Sequence, residues 1–322
     1  VMADEATLWV NRGEGNEEGD FFEYTVPAGE GMVVLDAIHW IQQNVQPDLA
    51  ARWNCKAAKC GSCSAEINGK PGLMCKTRLS DFEEGEPISV EPMRAFPRVR
   101  DLVTDVSWNY EVNKRIKPFT PPAGVPQSEW RWQQADGERS QEFRKCIECF
   151  LCMDICHVLR NHETEDEFIG PRFLVRSASL EMHPMDTADR KEYLKYDAGI
   201  GYCNINKCCT DVCPEHIKIT DNAIIPLKER VADSYYDPIR MLWDKIRGKR
   251  YGGGNGHADH IEVSDEAAAL DAGSNRAAGA STGNGGGESA GEAGGSAGAG
   301  LTGSGGSTDA GSTGSGTAGS DR

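Results

Sequence analysis

The chain has 322 residues, 34 basic and 50 acidic, for a formal net charge of −16, and 39% of it is hydrophobic. That length and apolar content suffice for two modest domains with cores of their own, while the acid excess excludes the extended basic face that nucleic-acid binding needs. The N-terminal run Met2-Ala3-Asp4-Glu5-Ala6 is acidic, unlike a secretory or twin-arginine leader, and the most apolar stretch, residues 31–41, contains Asp36 and His39. It falls short of the roughly 20 apolar residues of a membrane span. A cytoplasmic location is expected, where reducing conditions keep thiols free.

The first hundred residues read as a small sheet with one helix. Residues 7–11 and 21–26 alternate as two strands across a turn rich in Gly, Glu and Asn. Apolar residues then recur at helical spacing over 32–41, which predicts a helix lying on that sheet. Asn68-Gly69 marks a hairpin between residues 64–67 and the strand running to Cys75, and residues 87–91 supply a last strand. This order is that of a β-grasp fold. Residues 116–136 hold Pro118, Pro121, Pro122 and Pro126 and form a stiff connector in which proline disfavours helix. Beyond it, helices are predicted over 140–160, 171–182, 186–195 and 220–232. From Gly252 to Arg322 the chain turns to Gly, Ala, Ser and Thr, with almost nothing to bury, so a disordered solubilising or spacing tail is expected. The expected class is α+β: a β-grasp domain over 1–112, a connector over 113–138, an all-α domain over 139–251 and a tail over 252–322.

All 12 cysteines fall into three groups of four. Cys55, Cys60, Cys63 and Cys75 form C-x4-C-x2-C-x11-C, the spacing of a plant-type 2Fe-2S site, in which a loop wraps three thiolates and a strand brings the fourth. Gly61 and Ser62 suit such a loop, and Lys56, Lys59 and Lys76 would offset the negative charge of the ligated cluster. The competing reading is a zinc site, and three such sites would make the chain a non-redox scaffold. Zinc patterns, however, usually pair two short C-x2–4-C knuckles.

Cys146, Cys149, Cys152 and Cys156 form C-x2-C-x2-C-x3-C, and Cys203, Cys208, Cys209 and Cys213-Pro214 complete the set. In two-cluster ferredoxins the fourth cysteine of such a run serves the other cluster. By that rule Cys146, Cys149 and Cys152 take one cluster with Cys213 as their fourth ligand, while Cys156 joins Cys203 and Cys209. The middle position of the last set holds Asn206, a poor match for iron beside soft thiolates, and three thiolates favour a 3Fe-4S cluster. Cys208 is open between a spare thiol and a fourth ligand. The spare-thiol reading carries more weight, because adjacent residues rarely aim both side chains at one cluster.

The motifs Cys55-Lys-Ala-Ala-Lys-Cys60-Gly-Ser-Cys63, Cys146-Ile-Glu-Cys149-Phe-Leu-Cys152 and Cys209-Thr-Asp-Val-Cys213-Pro resemble, in this order, those of the iron-sulfur subunit of succinate dehydrogenase and fumarate reductase. The resemblance covers about residues 5–250. It implies a plant-type ferredoxin domain joined to a helical bacterial-type one. It also implies a partner flavoprotein that oxidises succinate at FAD, a relay through 2Fe-2S, 4Fe-4S and 3Fe-4S clusters, and a quinone acceptor held near membrane anchor subunits on the cytoplasmic face. Carried over by motif, the three ligand sets are those given above. The chain departs from the family after Cys156, where His157, Val158, Leu159, Arg160 and Asn161 replace the usual proline and nearby tryptophan. This resembles the actinobacterial branch, which implies menaquinone, and places His157, Arg160 and Asn161 near the quinone. Direction is open, fumarate reduction being the reverse of succinate oxidation.

His157 reads either as a quinone hydrogen-bond donor or as a helix-capping histidine, the second being commoner. His162, His183 and His216 read as ordinary structural histidines. Residues 238–250 mix apolar and basic side chains, which suits either a solvated terminal helix or contact with anionic lipid or an anchor subunit.

Overall fold

A computed structural model describes residues 5–16, 18–160 and 166–246. Asn161, His162 and the tail over 252–322 lie outside the described residues. Glu5–Arg12 (β1) and Asp20–Pro27 (β2) pair antiparallel along their length. β1 runs parallel to Ile88–Glu91 (β5), which pairs antiparallel with Ser64–Ile67 (β3), and β3 pairs with Lys70–Leu73 (β4). The resulting order is β2-β1-β5-β3-β4. Asn68 and Gly69 both have positive φ, 47° and 71°, as the two-residue turn between β3 and β4 requires. Val34–Asn44 (α1) turns Val34, Leu35, Ala37, Ile38 and Ile41 into one core with Leu8, Val10, Val26 and Val90 of the sheet. The expected β-grasp arrangement is thus present.

The short strands Arg98–Arg100 (β6) and Val103–Thr104 (β7) precede Ser107–Arg115 (α2), a helix the sequence pattern did not reveal because its residues are mostly polar. Helices follow at Gln134–Arg144 (α3), Leu151–Asp154 (α4), His157–Arg160 (α5), Pro171–Glu181 (α6), Lys191–Tyr196 (α7), Cys208–Asp211 (α8), Ile225–Tyr236 (α9) and Pro238–Ile246 (α10). The expected helix over 140–160 is instead three short pieces. Glu148 and Phe150, with φ of 56° and 61°, cannot lie in a right-handed helix. The helix expected over 186–195 begins only at Lys191, because Asp186 and Ala188 direct their side chain and carbonyl to Arg190. The helix expected over 220–232 starts as a π-helical turn, Ile219–Ile224, that runs into α9. Pro226, which has no N–H to donate, sits at that junction.

α6 is the buried axis of the helical part, with Phe173, Leu174, Val175, Ser177 and Ala178 all covered. Arg190 is fully buried and fully used: it donates to the carbonyls of Lys117 and Pro118, both at 2.8 Å, and pairs with Asp186 at 2.9 Å and Glu181 at 3.3 Å. It thereby pins the proline-rich connector to the helices.

The two parts exchange core residues. Met93, Ala95 and Phe96 from the end of the sheet domain pack among the helices, while Cys149, Leu151 and Val212 pack into the core under the sheet. At this seam a Cβ on Gly61, whose φ is +70°, would stand 2.6 Å from Cys149 Cα, so two cysteine-bearing loops touch backbone to backbone. Ser64 Oγ donates to Cys149 O at 2.8 Å. Beside them Glu66, with no exposed surface, pairs with Arg160 and, at 2.8 Å, with Arg94. Asp154, equally buried, accepts the Ala95 N–H at 3.0 Å. Burial, followed by the charge of Asp154, pushes the Glu66 carboxyl up to about 7.

Two outcomes follow from the seam. Gly61→Ala meets both a left-handed backbone and an immovable backbone neighbour. Differential scanning calorimetry should show a midpoint about 2–8 °C lower, whereas Gly72→Ala, whose Cβ would meet nothing nearer than 3.5 Å, leaves it nearly unchanged. A carboxyl raised on folding contributes stability that is complete below its unfolded value and is lost as pH rises through about 7. The urea midpoint should therefore fall between pH 6 and pH 8, and Glu66→Gln should fall less over the same interval.

Candidate metal centres

The loop carrying Cys55, Cys60 and Cys63 turns three times through left-handed backbone, at Lys56 (φ 52°), Ala58 (54°) and Gly61 (70°). For the two residues with side chains this conformation costs on the order of 1 kcal/mol each. Its effect is to aim amides at sulfur: Ala57 and Lys59 N–H donate to Cys55 Sγ and Ala58 N–H to Cys75 Sγ, each at 3.3 Å, and Ser62 N–H donates to Cys60 Sγ at 3.5 Å. Such converging N–H groups form a concavity for an anion, which fits a thiolate-ligated 2Fe-2S cluster. Burial acts to raise Cys60, but hydrogen bonds from Ser62 and Cys55 outweigh it and bring the thiol down to about 7. Burial pushes Cys63 up to about 12.

The lysines of this loop have other partners as well. Lys59 pairs with Glu215 at 2.8 Å and Lys76 Nζ donates to the Pro214 carbonyl at 3.0 Å, so both brace the sheet domain against the Cys213 segment. Lys56 lies 5.1 Å from the centre of the Trp53 ring and 3.9 Å from Asp36.

Cys146, Cys149, Cys152 and Cys213 line one small apolar cavity, together with Phe150, Val175, Ile217 and Ile219. Two segments far apart in the chain thus bring four thiols together. Burial pushes Cys149 up to about 12 and Cys152 well above the ordinary thiol range. In so apolar a wall the buried Cys149 and Cys152 thiols keep their protons until bound metal replaces them, and the donor set and apolar lining fit a 4Fe-4S cluster. Ile217 N–H donates to Cys213 Sγ at 3.4 Å.

The third set repeats the second in backbone form. Ile205 and Lys207, with φ of 63° and 64°, stand to Cys203 and Cys209 as Glu148 and Phe150 stand to Cys146 and Cys152. α8 follows Lys207 as α4 follows Phe150. By this correspondence Asn206 occupies the place of Cys149 and Cys208 that of Leu151. Asn206 Nδ2 lies 2.9 Å from His157 Nδ1, and its Oδ1 accepts the Cys208 N–H at 3.4 Å. Burial raises the Cys156 thiol, and the charges of Cys209 and Cys203 act on it too. Burial likewise raises Cys208, with Cys156 the next influence, so Cys208 shares this neighbourhood. Cys209 Sγ lies 3.5 Å from Thr220 Oγ1, and burial pushes its thiol up to about 11.

His157, exposed at the start of α5, is held by Asn206. Arg160 turns the other way, to Glu66 and, at 2.5 Å, to the Asp154 carbonyl. His183 packs edge-on against Phe119, 5.0 Å between ring centres. Among the described residues no three His, Cys, Asp or Glu side chains converge closely enough for a single ion; the thiols of the second set line a cavity instead. Sequence reasoning passed over Glu66, Asp154 and Arg172. The signal for Arg172 was there, a charge inside the apolar run 171–175 at the start of a helix.

Two families match the chain: a 2Fe-2S iron-sulfur cluster binding domain over residues 7–111 and a 4Fe-4S dicluster domain over residues 142–217. The fumarate reductase iron-sulfur subunit of Mycobacterium tuberculosis is 32% identical over 225 residues, 67% of this chain and 89% of that protein. The subunit of the same name from Haemophilus influenzae is 31% identical over 219 residues, 63% and 84% of the two chains. A chain in the solved structure of the Mycobacterium smegmatis Sdh1 complex in the apo form is 61% identical with a TM-score of 0.71, covering 73% of this chain and 98% of that one. With both cluster domains in this order and four thiols from two segments in one cavity, the chain belongs to the family of iron-sulfur, electron-transferring subunits of succinate dehydrogenase and fumarate reductase.

Proposed function

We propose that this chain passes single electrons from an FAD-bearing flavoprotein partner to a quinone, menaquinone being the acceptor suggested by its actinobacterial character. The ligand sets are Cys55, Cys60, Cys63 and Cys75 for the 2Fe-2S cluster, Cys146, Cys149, Cys152 and Cys213 for the 4Fe-4S cluster, and Cys156, Cys203 and Cys209 for a 3Fe-4S cluster. The observation that carries this reading is the cavity shared by Cys213 and the 146–152 run, the arrangement that the crossed ligation of a two-cluster ferredoxin requires. When bound, the clusters supply one-electron carriers between two-electron flavin and quinone chemistry.

The chain's own residues hold, insulate and orient. The left-handed loops aim N–H groups at sulfur, Phe150, Val175 and Ile219 keep water from the second set, and the Gly61–Cys149 contact sets the first set beside it. Asn206, held by His157, leaves the third set with three thiolates, Cys208 being the spare. His157 is then the group nearest a quinone, and Arg160 supports the seam. Succinate oxidation is favoured over the reverse by the greater similarity to the Sdh1 complex chain, 61% against 31–32% for the fumarate reductase subunits. No helix among the described residues is long and apolar enough to cross a membrane. Attachment to an anchor at the cytoplasmic face would use α10, where Ile239, Leu242, Trp243 and Ile246 are exposed at helical spacing.

Anaerobically purified complex should contain iron and acid-labile sulfide and show EPR signals of three centres. Cys213→Ser should remove the reduced 4Fe-4S signal and spare the 2Fe-2S one. Asn206→Cys should abolish the oxidised 3Fe-4S signal by supplying a fourth thiolate. A colourless, sulfide-free complex would falsify the reading.

A further inference from the structure

Arg172 is the second residue of α6 and lies in the wall of the cavity formed by Cys146, Cys149, Cys152 and Cys213. It is 6% exposed. Its position is electrostatically adverse, since the first turn of a helix carries partial positive charge and favours anions, and burying an arginine is tolerated only with counter-charge. Arg190 shows how this chain satisfies a buried guanidinium, with two carboxylates and three carbonyls. For Arg172, one Nη reaches a single carboxylate, that of Glu148, which is half exposed to solvent. Its Nε is buried and has no hydrogen-bond partner among the described residues. The neighbours of that side chain are the Phe173 ring, 5.7 Å from the guanidinium carbon, and the thiol-lined cavity.

We propose that Arg172 is a charge-tuning residue of the second centre, its unpaired guanidinium edge facing the four-thiolate site and raising the reduction potential of the cluster held there. The inference rests on the Cys146, Cys149, Cys152 and Cys213 ligand set. A cluster bound by four thiolates is net negative, and reduction adds one more electron to it. A fixed cation in a dry wall therefore stabilises the reduced form more than the oxidised form, and the interaction is little screened at this depth. Glu148 offsets it only partly, because its own charge is hydrated. In the relay this holds the middle carrier at a potential where it can accept electrons from the first set.

The test is an EPR-monitored redox titration of the anaerobic, fully assembled complex, following the 4Fe-4S and 2Fe-2S signals side by side in Arg172→Gln, Arg172→Met and Arg172→Lys. Gln and Met should lower the 4Fe-4S midpoint so that the reduced-to-oxidised ratio at fixed potential falls at least tenfold, about 59 mV for a one-electron couple. Lys should stay within about threefold of wild type, and the 2Fe-2S midpoint should not move. An unshifted 4Fe-4S midpoint in Gln or Met complexes of normal iron content would overturn the proposal. If Gln and Met fail to retain the centre, Lys decides. A retained cluster at the wild-type potential shows that the charge is what the site requires, whereas its loss in Lys as well assigns Arg172 to bracing Glu148 and rejects the tuning role. Absence of a reduced 4Fe-4S signal from the wild-type complex would instead remove the ligand assignment itself, and the inference with it.

Discussion

The close approach of Gly61 to Cys149 is the constraint on which the arrangement of this protein turns. A glycine at positive φ lets the loop of the first cysteine group touch the backbone of the second, with 2.6 Å between a would-be Cβ and Cys149 Cα. Ser64 bridges the Gly61 and Cys149 carbonyls with one hydroxyl. Lys59 and Lys76 tie the same loop region to Glu215 and Pro214, next to Cys213. The sheet domain and the helical domain are thus locked through the residues that flank their thiols, and any change in their relative seating would separate adjacent carriers. Exchange of Phe96 for Leu151 across the seam makes each core incomplete without the other.

Left-handed backbone is the second organising device. Six non-glycine residues inside the cysteine loops, Lys56, Ala58, Glu148, Phe150, Ile205 and Lys207, have positive φ. Each is a local expense recovered only where the freed amides find an anion. The repetition of Glu148 and Phe150 as Ile205 and Lys207 gives the third set the backbone form of the second, with Asn206 standing where Cys149 stands. The same loop backbone is therefore kept with an amide side chain in place of a thiol.

Charge is distributed against the overall balance. The chain carries a net −16, yet lysines flank the first cysteine loop and a buried arginine enters the wall of the cavity lined by the second set. Local cations beside thiolates are what negative clusters need in low dielectric. The Glu66–Asp154 pair at the seam is the exception, two buried carboxylates whose burial favours a proton over a second charge.

Much of this was legible in the residues. Cysteine spacing is dictated by ligand geometry, which acts over a few positions, so the grouping of thiols and the α+β class could be read directly. Period-two and helical patterns placed the β-grasp strands and α1, because each has one apolar face. The run 140–160 misled, since its composition favours helix while Glu148 and Phe150 are forced left-handed by the wrapping of the loop. That force comes from the site, and local propensity does not report it. The ferredoxin rule already joined Cys213 to the Cys146 group, whereas the seating of Gly61 on Cys149, the use of Arg160 at the seam and the burial of Arg172 were decided by tertiary structure alone. Each depends on segments far apart in the chain meeting in a water-poor space, where a charge or a missing Cβ acquires an energy it lacks in the extended polypeptide.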